Sequence, residues 1–484
     1  MTSLARKAIL LVAPVSVGCA QIPAPPGYSD AIPESRTLMT KGGPLDTVRP
    51  ASYQDQPPGQ KGPTPLSPPR PFNPSQAPNA NPAPTLDGPP TLANLEELAD
   101  RVNPIIVRDR AQIESNRGQA AQAGIWSNPQ FNSNNPEIIN GRGTTLNAGF
   151  QLEIPVNGKK VLDQSAANEA TRQAEIALAT DRLVLHASIR QQYYTVLVDQ
   201  ERMDVLNKTL VLVQKSYDTG LARQKAGDLG TADILNFLVD LQRTQAALRS
   251  AAAILDGDKK QLEAIIGVPG LIREPLQGKL SGPYPQFDEA ELIEYVTKHH
   301  TQIASALSVL RQNKILLRRA QVEPLPNPTL GPAYQFGLVP GSDQFWFNLT
   351  FNIPVWDLNQ GSIRAAKANM AVAAANIDTT RLNLVNQAAN LLSQYLAALA
   401  IVERFEGKGK DEPGIVANAN EAARLYQLMF ANKTTDLATL LQAQRTAMQA
   451  NSDYVDARQN LWNNATQLSG LMQLEKFPET GSKK

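Results

Sequence analysis

The chain of 484 residues holds one cysteine and three histidines. No disulfide can form within one copy, and no Cys/His cluster offers zinc-ligand spacing. An excess of one charge sign is missing too: 46 Lys and Arg face 45 Asp and Glu, leaving a formal charge of +1. Phosphate backbones are bound by basic surfaces, so nucleic acid is not an expected partner. No run of about 18 apolar residues occurs, which excludes a bilayer-spanning helix. G-x-S-x-G, Walker and H-E-x-x-H patterns are absent as well, so neither an enzyme nor a resident cofactor or metal centre is expected. His299 and His300 are adjacent. Neighbours on a helix point about 100° apart, so this pair reads as structural rather than metal-ligating.

What is present begins at the N-terminus. Arg6 and Lys7 precede the apolar stretch AILLVAPVSVG, which predicts a signal peptide over 1–18. Cys19 follows Gly18 directly, as in bacterial lipoprotein signals, although Ser16 replaces the usual leucine three residues before it. The expectation is a lipidated, palmitate-bearing Cys19. The alternative is plain secretion with Cys19 a spectator, and either exports the chain. Residues 19–91 are rich in proline, as in PPGQKGPTPLSPPRPFNP. A segment this poor in apolar residues and backbone donors cannot offset its ordering entropy. A disordered or polyproline-II tether is expected there, and a disordered tail over 476–484.

The remainder divides into two similarly arranged halves, 92–285 and 286–475. In the first, a helix is predicted over 92–127, a strand pair within 128–156 (about 128–138 and 145–156), a long helix over 159–223 and a return helix over 231–266. In the second, a helix is predicted over 288–323, strands at 327–338 and 344–355 (the pair 327–355), a long helical stretch over 361–430 and a last helix over 435–472. SIRQQYYTVLVDQER matches NLLSQYLAALAIVER, with Gln192/Gln394, Tyr193/Tyr395, Glu201/Glu403 and Arg202/Arg404 at one offset. AGDLGTADILN matches ANKTTDLATLLQ with a register open by up to a helical turn. Leu185, Ile189, Tyr193 and Val196, then Leu206, Leu210 and Val213, recur in steps of three and four. That stripe implies lateral helix-on-helix packing. Only GKGKDEPG (407–414) interrupts a long helix, because Pro413 cannot donate to the helical ladder.

The strands carry the main functional signal. Phe345, Phe347, Leu349, Phe351 and Ile353 alternate with Trp346, Asn348, Thr350 and Asn352; Leu146, Ala148, Phe150, Leu152 and Ile154 alternate with Asn147, Gly149, Gln151 and Glu153. Each set therefore has one apolar face. The segments are near the ~9–11 residues that cross a bilayer as a tilted strand. Four strands cannot close a barrel, and open edges are not tolerated in lipid. If lipid covers the apolar face, several copies must pool their strands, and three copies give twelve. The competing reading is a soluble sheet packed on a helix of the same chain.

The order LANLEELADRVNP, AGIWSNPQF, FQLEIPVNGKK, AGDLGTADILN, LEAIIGVPG, RAQVEPLPNPTLG and LLQAQRT resembles that of the TolC-like outer-membrane efflux proteins, over about 92–475. NPQF, IPVNGKK and the Pro413 break lean toward the heavy-metal cation efflux branch. The resemblance implies an α+β, mainly α fold: antiparallel coiled-coil helices forming an α-barrel, plus four strands per chain in a 12-stranded trimeric membrane β-barrel. It implies a homotrimeric exit duct of a tripartite efflux or type I secretion system in the outer membrane. Partners would be outer-membrane lipid, a periplasmic adaptor protein and an inner-membrane pump that supplies the energy. The alternative is a membrane-tethered periplasmic coiled-coil protein without a pore. In the family the periplasmic tips close like an iris. Carried over, the tip and gate residues are Gly227, Asp228 and Asp233 in the first half, and Asn432, Lys433, Asp436, Thr439 and Gln442 in the second. Asn432 or Lys433 stands where glycine is usual, and Thr439 and Gln442 stand where acids are expected, which predicts a weak acidic ring. Asp233 and Asp436 also suit helix capping, and Gly220 and Gly227 suit turns.

Overall fold

The computed structural model describes residues 90–134, 138–139, 142–143, 145–337, 343–409 and 412–475. The expected signal peptide, Cys19, nearly all of the linker and the tail 476–484 lie outside them. In chain order the elements are α1 (Leu92–Val102), α2 (Pro104–Gly124), β1 (Gln130–Asn134), β2 (Ile138–Ile139), β3 (Arg142–Gly143), β4 (Thr145–Glu153), α3 (Lys159–Lys225) and α4 (Thr231–Ile266). The second half supplies α5 (Glu289–His299), α6 (Thr301–Val322), β5 (Thr329–Gly337), β6 (Gln344–Thr350), α7 (Gln360–Glu406), α8 (Ile415–Ala431) and α9 (Leu437–Leu471).

Two predicted helices are each split. The stretch 92–127 breaks at Asn103, whose side chain caps α2 by accepting from the Ile105 N–H at 2.8 Å, with Pro104 at the first helical position. Proline has no N–H to lose there, and its fixed φ suits a helix start. The stretch 288–323 breaks at the corresponding place, where His300 caps α6 by accepting from the Gln302 N–H at 3.2 Å. His300 is thus buried at a cap rather than on a helix beside His299. The first strand begins at Gln130, later than expected, and residues 135–137 of its expected span lie outside the described residues; Ile138–Ile139 pairs with Arg142–Gly143.

At 67 residues, α3 is about 100 Å long at 1.5 Å per residue. It packs laterally against α2, α4, α6 and α9, while α7 packs against α5, α6, α8 and α9. One core gathers Leu95, Ile106, Ile189, Val196, Leu262 and Ile266 from α1–α4; the other gathers Leu292, Leu384, Leu392, Val402, Leu461 and Trp462 from α5, α7 and α9. They meet where Tyr194 of α3 stacks on Trp462 of α9, centroids 4.2 Å apart. Tyr193 and Tyr395, matched in the two halves, are both buried, and each donates its hydroxyl to a backbone carbonyl of the 267–288 connection, Gln277 and Pro285.

The predicted interruption of the second long helix is a pinched loop. Lys408 N donates to Glu412 O at 3.0 Å, and Gly407 bridges Pro413. A Cβ on Gly407 would lie 2.3 Å from Gly414 N, so these backbones touch only because both are glycine.

Candidate functional site

The sheet runs β1-β4-β5-β6, all antiparallel, so β4–β5 joins the two halves into one surface. The register aligns the alternation of every strand. Phe131 faces Phe150, Leu152 faces Leu330, Ala148 faces Tyr334, Leu146 is paired with Phe336, and Leu330, Pro332 and Tyr334 face Leu349, Phe347 and Phe345. Apart from Ser133, that face is apolar. The opposite face carries Gln130, Asn132, Asn147, Gly149, Gln151, Thr329, Gln335, Gln344 and Asn348, with Trp346 and Ala333 as apolar exceptions. Gly149 on this second face faces Ala333, and a Cβ there would sit 2.6 Å from Ala333 Cβ, so the position takes glycine.

No helix packs over this sheet among the described residues. Phe345 is 71% exposed and Phe347 62%. Phe131, Phe150 and Leu349 are exposed too, and Leu152 and Ile154 are half-buried. Ile154, Phe351 and Ile353 fall just beyond the hydrogen-bonded strands, and the last two are exposed. Hydrocarbon side chains on this scale stay uncovered only where something other than water receives them. Among the described residues the outer edges of β1 and β6 have no strand partner. Among the described residues no helix is long and apolar enough to cross a membrane.

The sheet is tied to the helices by residues of the matched motifs. Asn327 accepts from the Val156 N–H at 3.3 Å and donates to Glu153 at 2.7 Å. The buried Lys159 ammonium donates to Glu323 O at 3.1 Å and Leu325 O at 2.7 Å. Asn157 and Gly158, with φ of 58° and 70°, turn the chain into α3.

At the far end of the long helices, two turns built alike lie side by side. After α3, Gly227 N donates to Gln224 O and Asp228 N to Arg223 O; after α8, Lys433 N donates to Phe430 O and Thr434 N to Met429 O. Both are Schellman closures, which need a left-handed residue. That residue is Gly227 (φ 82°) in one and Lys433 (φ 61°) in the other. The open register is thereby fixed: Gly227 matches Lys433, and Asn432 is the C-cap before it. Asp233 accepts from Gly230 N at 3.0 Å, and Asp436 caps α9 by accepting from Thr439 N at 2.9 Å. The Thr439 hydroxyl and amide hold the Asp436 carboxyl below its usual range. Thr439 and Gln442 line a shallow groove with Tyr426 between α8 and α9. Gly220 is not at a turn: it lies inside α3, where a Cβ would come within 2.9 Å of the Phe237 ring.

The two turns are fastened to each other. Lys433 Nζ lies 2.6 Å from Asp228 Oδ2. This hydrogen bond holds the Asp228 carboxyl below the usual carboxylate range. Arg223 donates to Phe430 O at 3.1 Å and lies over the Phe430 ring at 4.2 Å. Beneath them Ile234, Phe237, Phe430, Leu440 and Leu441 form a small core. One helix turn deeper, Arg445 pairs with Asp240 at 3.2 Å, and Gln444 donates to Ser216 at 2.6 Å. Arg223, Phe430, Asp240 and Arg445 were not singled out from the sequence; a basic residue in a last helical turn was the one available signal.

No protein-family model matches the chain. The cobalt-zinc-cadmium resistance protein CzcC of Cupriavidus metallidurans is 22% identical over 368 residues, which span 75% of this chain and 84% of CzcC. The outer-membrane channel OprN superposes with a TM-score of 0.67 at 16% identity, covering 79% of this chain and 90% of OprN. CusC, solved in a study of its folding and transmembrane channel formation, superposes with a TM-score of 0.66 at 13% identity, covering 79% and 92%. The chain thus shares its fold with the outer-membrane channels OprN and CusC and is similar in sequence to CzcC.

Proposed function

We propose that the chain is one third of a homotrimeric exit duct in the outer membrane, with its helices in the periplasm. One observation carries this reading. A four-stranded sheet has one apolar face and two edges that nothing among the described residues covers or pairs. Lipid removes the first problem, and pairing β6 of one copy with β1 of the next removes the second. Twelve strands then close with no edge left, and the Asn-, Gln- and Gly-rich face lines water. The duct itself is passive and has no catalytic role. Energy comes from an inner-membrane pump reached through a periplasmic adaptor at the tips. The likeness to CzcC favours the heavy-metal branch, with metal ions as cargo.

In the same reading, residues 1–18 are removed on export and Cys19 carries a lipid at the head of the 19–91 tether. Residues 92–285 and 286–475 act as two repeats. Gly227, Asp228, Asp233, Asn432, Lys433, Asp436, Thr439 and Gln442 form the periplasmic tip, and the Asp228–Lys433 pair holds the two hairpins of each copy together in the resting state.

The test is purification of the full chain followed by planar-bilayer recording. A detergent-requiring trimer with stepwise conductance is expected. A monomer that stays soluble without detergent and conducts nothing would instead fit a tethered periplasmic coiled-coil protein.

A further inference from the structure

Carboxylates from neighbouring helices meet twice along α3. Asp181 meets Asp109 of α2, and Arg108 serves both, with its Nη2 at 3.2 Å and 2.8 Å. Asp199 meets Asp258 of α4 within hydrogen-bonding reach, without such a cation. Asp199 is 4% exposed, and its Oδ2 is buried with no donor. Asp258 accepts from Gln192 at 3.0 Å, which brings no charge. Arg202 Nε stays 3.8 Å from Asp199, and its Nη2 is committed to Asp456 at 2.8 Å and Gln459 at 3.2 Å.

Beside this pair, which Arg202 meets only at Asp199 and only at 3.8 Å, lies a cavity of about 730 Å³ between α3, α4 and α9, with Arg202 in its wall. Its size suits a small organic ligand. Val205, Leu206, Ile254, Met448 and Val455 give it apolar walls. Arg243 and the Asp240–Arg445 pair line its other part, where arginine is in excess, whereas carboxylate is in excess beside Asp199 and Asp258. An open, partly apolar space bordered by two facing carboxylates that share one distant guanidinium is complementary to a cation that brings its own hydrocarbon. Such a ligand would supply at Asp199 what Arg108 supplies at Asp181.

We propose that this cavity binds an amphipathic organic cation, its ammonium or guanidinium head on the Asp199–Asp258 pair and its apolar body against Val205, Leu206, Ile254 and Met448. The inference needs only the folded chain and does not rest on the duct reading. It is tested by isothermal titration of phenethylammonium into the full-length protein in a neutral detergent at pH 8, with phenethyl alcohol as the uncharged match. The expected result is saturable binding of the ammonium, about tenfold or more weaker in Asp199→Asn and in Asp258→Asn, because a charge-assisted hydrogen bond is lost. Ala247→Phe, on the exposed wall of the cavity, keeps both acids and should weaken binding by filling the space. Equal affinity for the alcohol and the ammonium, unchanged affinity in both Asn variants, or no binding to the wild-type protein would each overturn the proposal. Elution volume and thermal midpoint of each variant, compared with wild type, separate a lost site from a lost fold.

Discussion

At the tip after α3 the left-handed residue is Gly227, whereas after α8 it is Lys433. The hydrogen bonds that close the two turns are the same. A non-glycine residue in this region costs roughly 1–2 kcal/mol, and the second half accepts that cost at the one position whose ammonium reaches Asp228 of the first. The long helices differ in a related way. Matched residues are 202 apart at Gln192/Gln394 but 206 apart at Gly227/Lys433, so four residues are added between, in the stretch that holds the pinched 407–414 loop. The return to register after roughly one turn of helix lets α8 resume the path that α3 follows without a break. At the tips the halves share backbone geometry, and side-chain chemistry is what distinguishes them.

The largest expected effect tests whether the halves are equivalent in the sheet. Phe150→Arg and Phe347→Arg should each abolish trimer assembly in membranes, at about 2–4 kcal/mol per side chain facing hydrocarbon. Gln151→Arg, on the opposite face, should assemble, and trimer yield in the outer-membrane fraction reads all three. Normal yield from either Phe variant would remove that half from the lipid-facing surface.

Next is the unequal role of two glycines. Gly407→Ala combines a φ of 78° with a Cβ 2.3 Å from Gly414 N, and should cost about 2–3 kcal/mol. Gly220→Ala meets only the Phe237 ring at 2.9 Å, which can shift, and should cost about 1 kcal/mol. Thermal midpoints of the two variants give the order.

The third concerns a position where the halves differ in charge. At the 202-residue offset Asp199 corresponds to Ile401. Burial first, then the hydrogen bond to Asp258, pushes the Asp199 carboxyl up to about 7. The fold therefore favours its protonated form. The stability that the proton confers is present in acid and is lost as pH rises from the ordinary carboxylate range through 7. Asp199→Asn, which stays neutral, should raise the thermal midpoint at pH 8 and change it little at pH 4. A shift of equal size at both pH values would show that its charge is not what matters.

The smallest effect on stability is expected at Lys433. Lys433→Gly relieves the left-handed strain and loses an exposed ion pair that solvent screens, so the thermal midpoint should scarcely move. Resting conductance should rise, since the two hairpins are no longer pinned. Lys433→Met, which keeps the strain but not the charge, should raise it equally. If conductance is unchanged in both, the clasp is not a gate.

Much of this was legible in the residues. The helix 231–266 is bounded by Thr231 and by Gly267 at φ 94°, a start and a stop that glycine and proline chemistry announces. Lys159, Thr231 and the Pro413 break were equally visible. The division at Asn103 carried a readable signal, a capping Asn before Pro104. The one at His300 did not, because histidine is an unusual cap and no proline follows. Gly220 looked like a turn residue because sequence does not reveal that Phe237 comes back against it.

Taken alone, the sequence determined the periods, namely which stretches are helix, which alternate and where each must stop, since these follow from local sterics and spacing. Tertiary structure decided what those elements face. The β4–β5 pairing brings together strands about 180 residues apart and turns separate alternations into one apolar surface. The same long-range packing sets Asp199 against Asp258 with Arg202 no nearer than 3.8 Å, and Asp228 against Lys433 at 2.6 Å. Such partners are chosen by helix packing across the whole chain, and no local pattern encodes them.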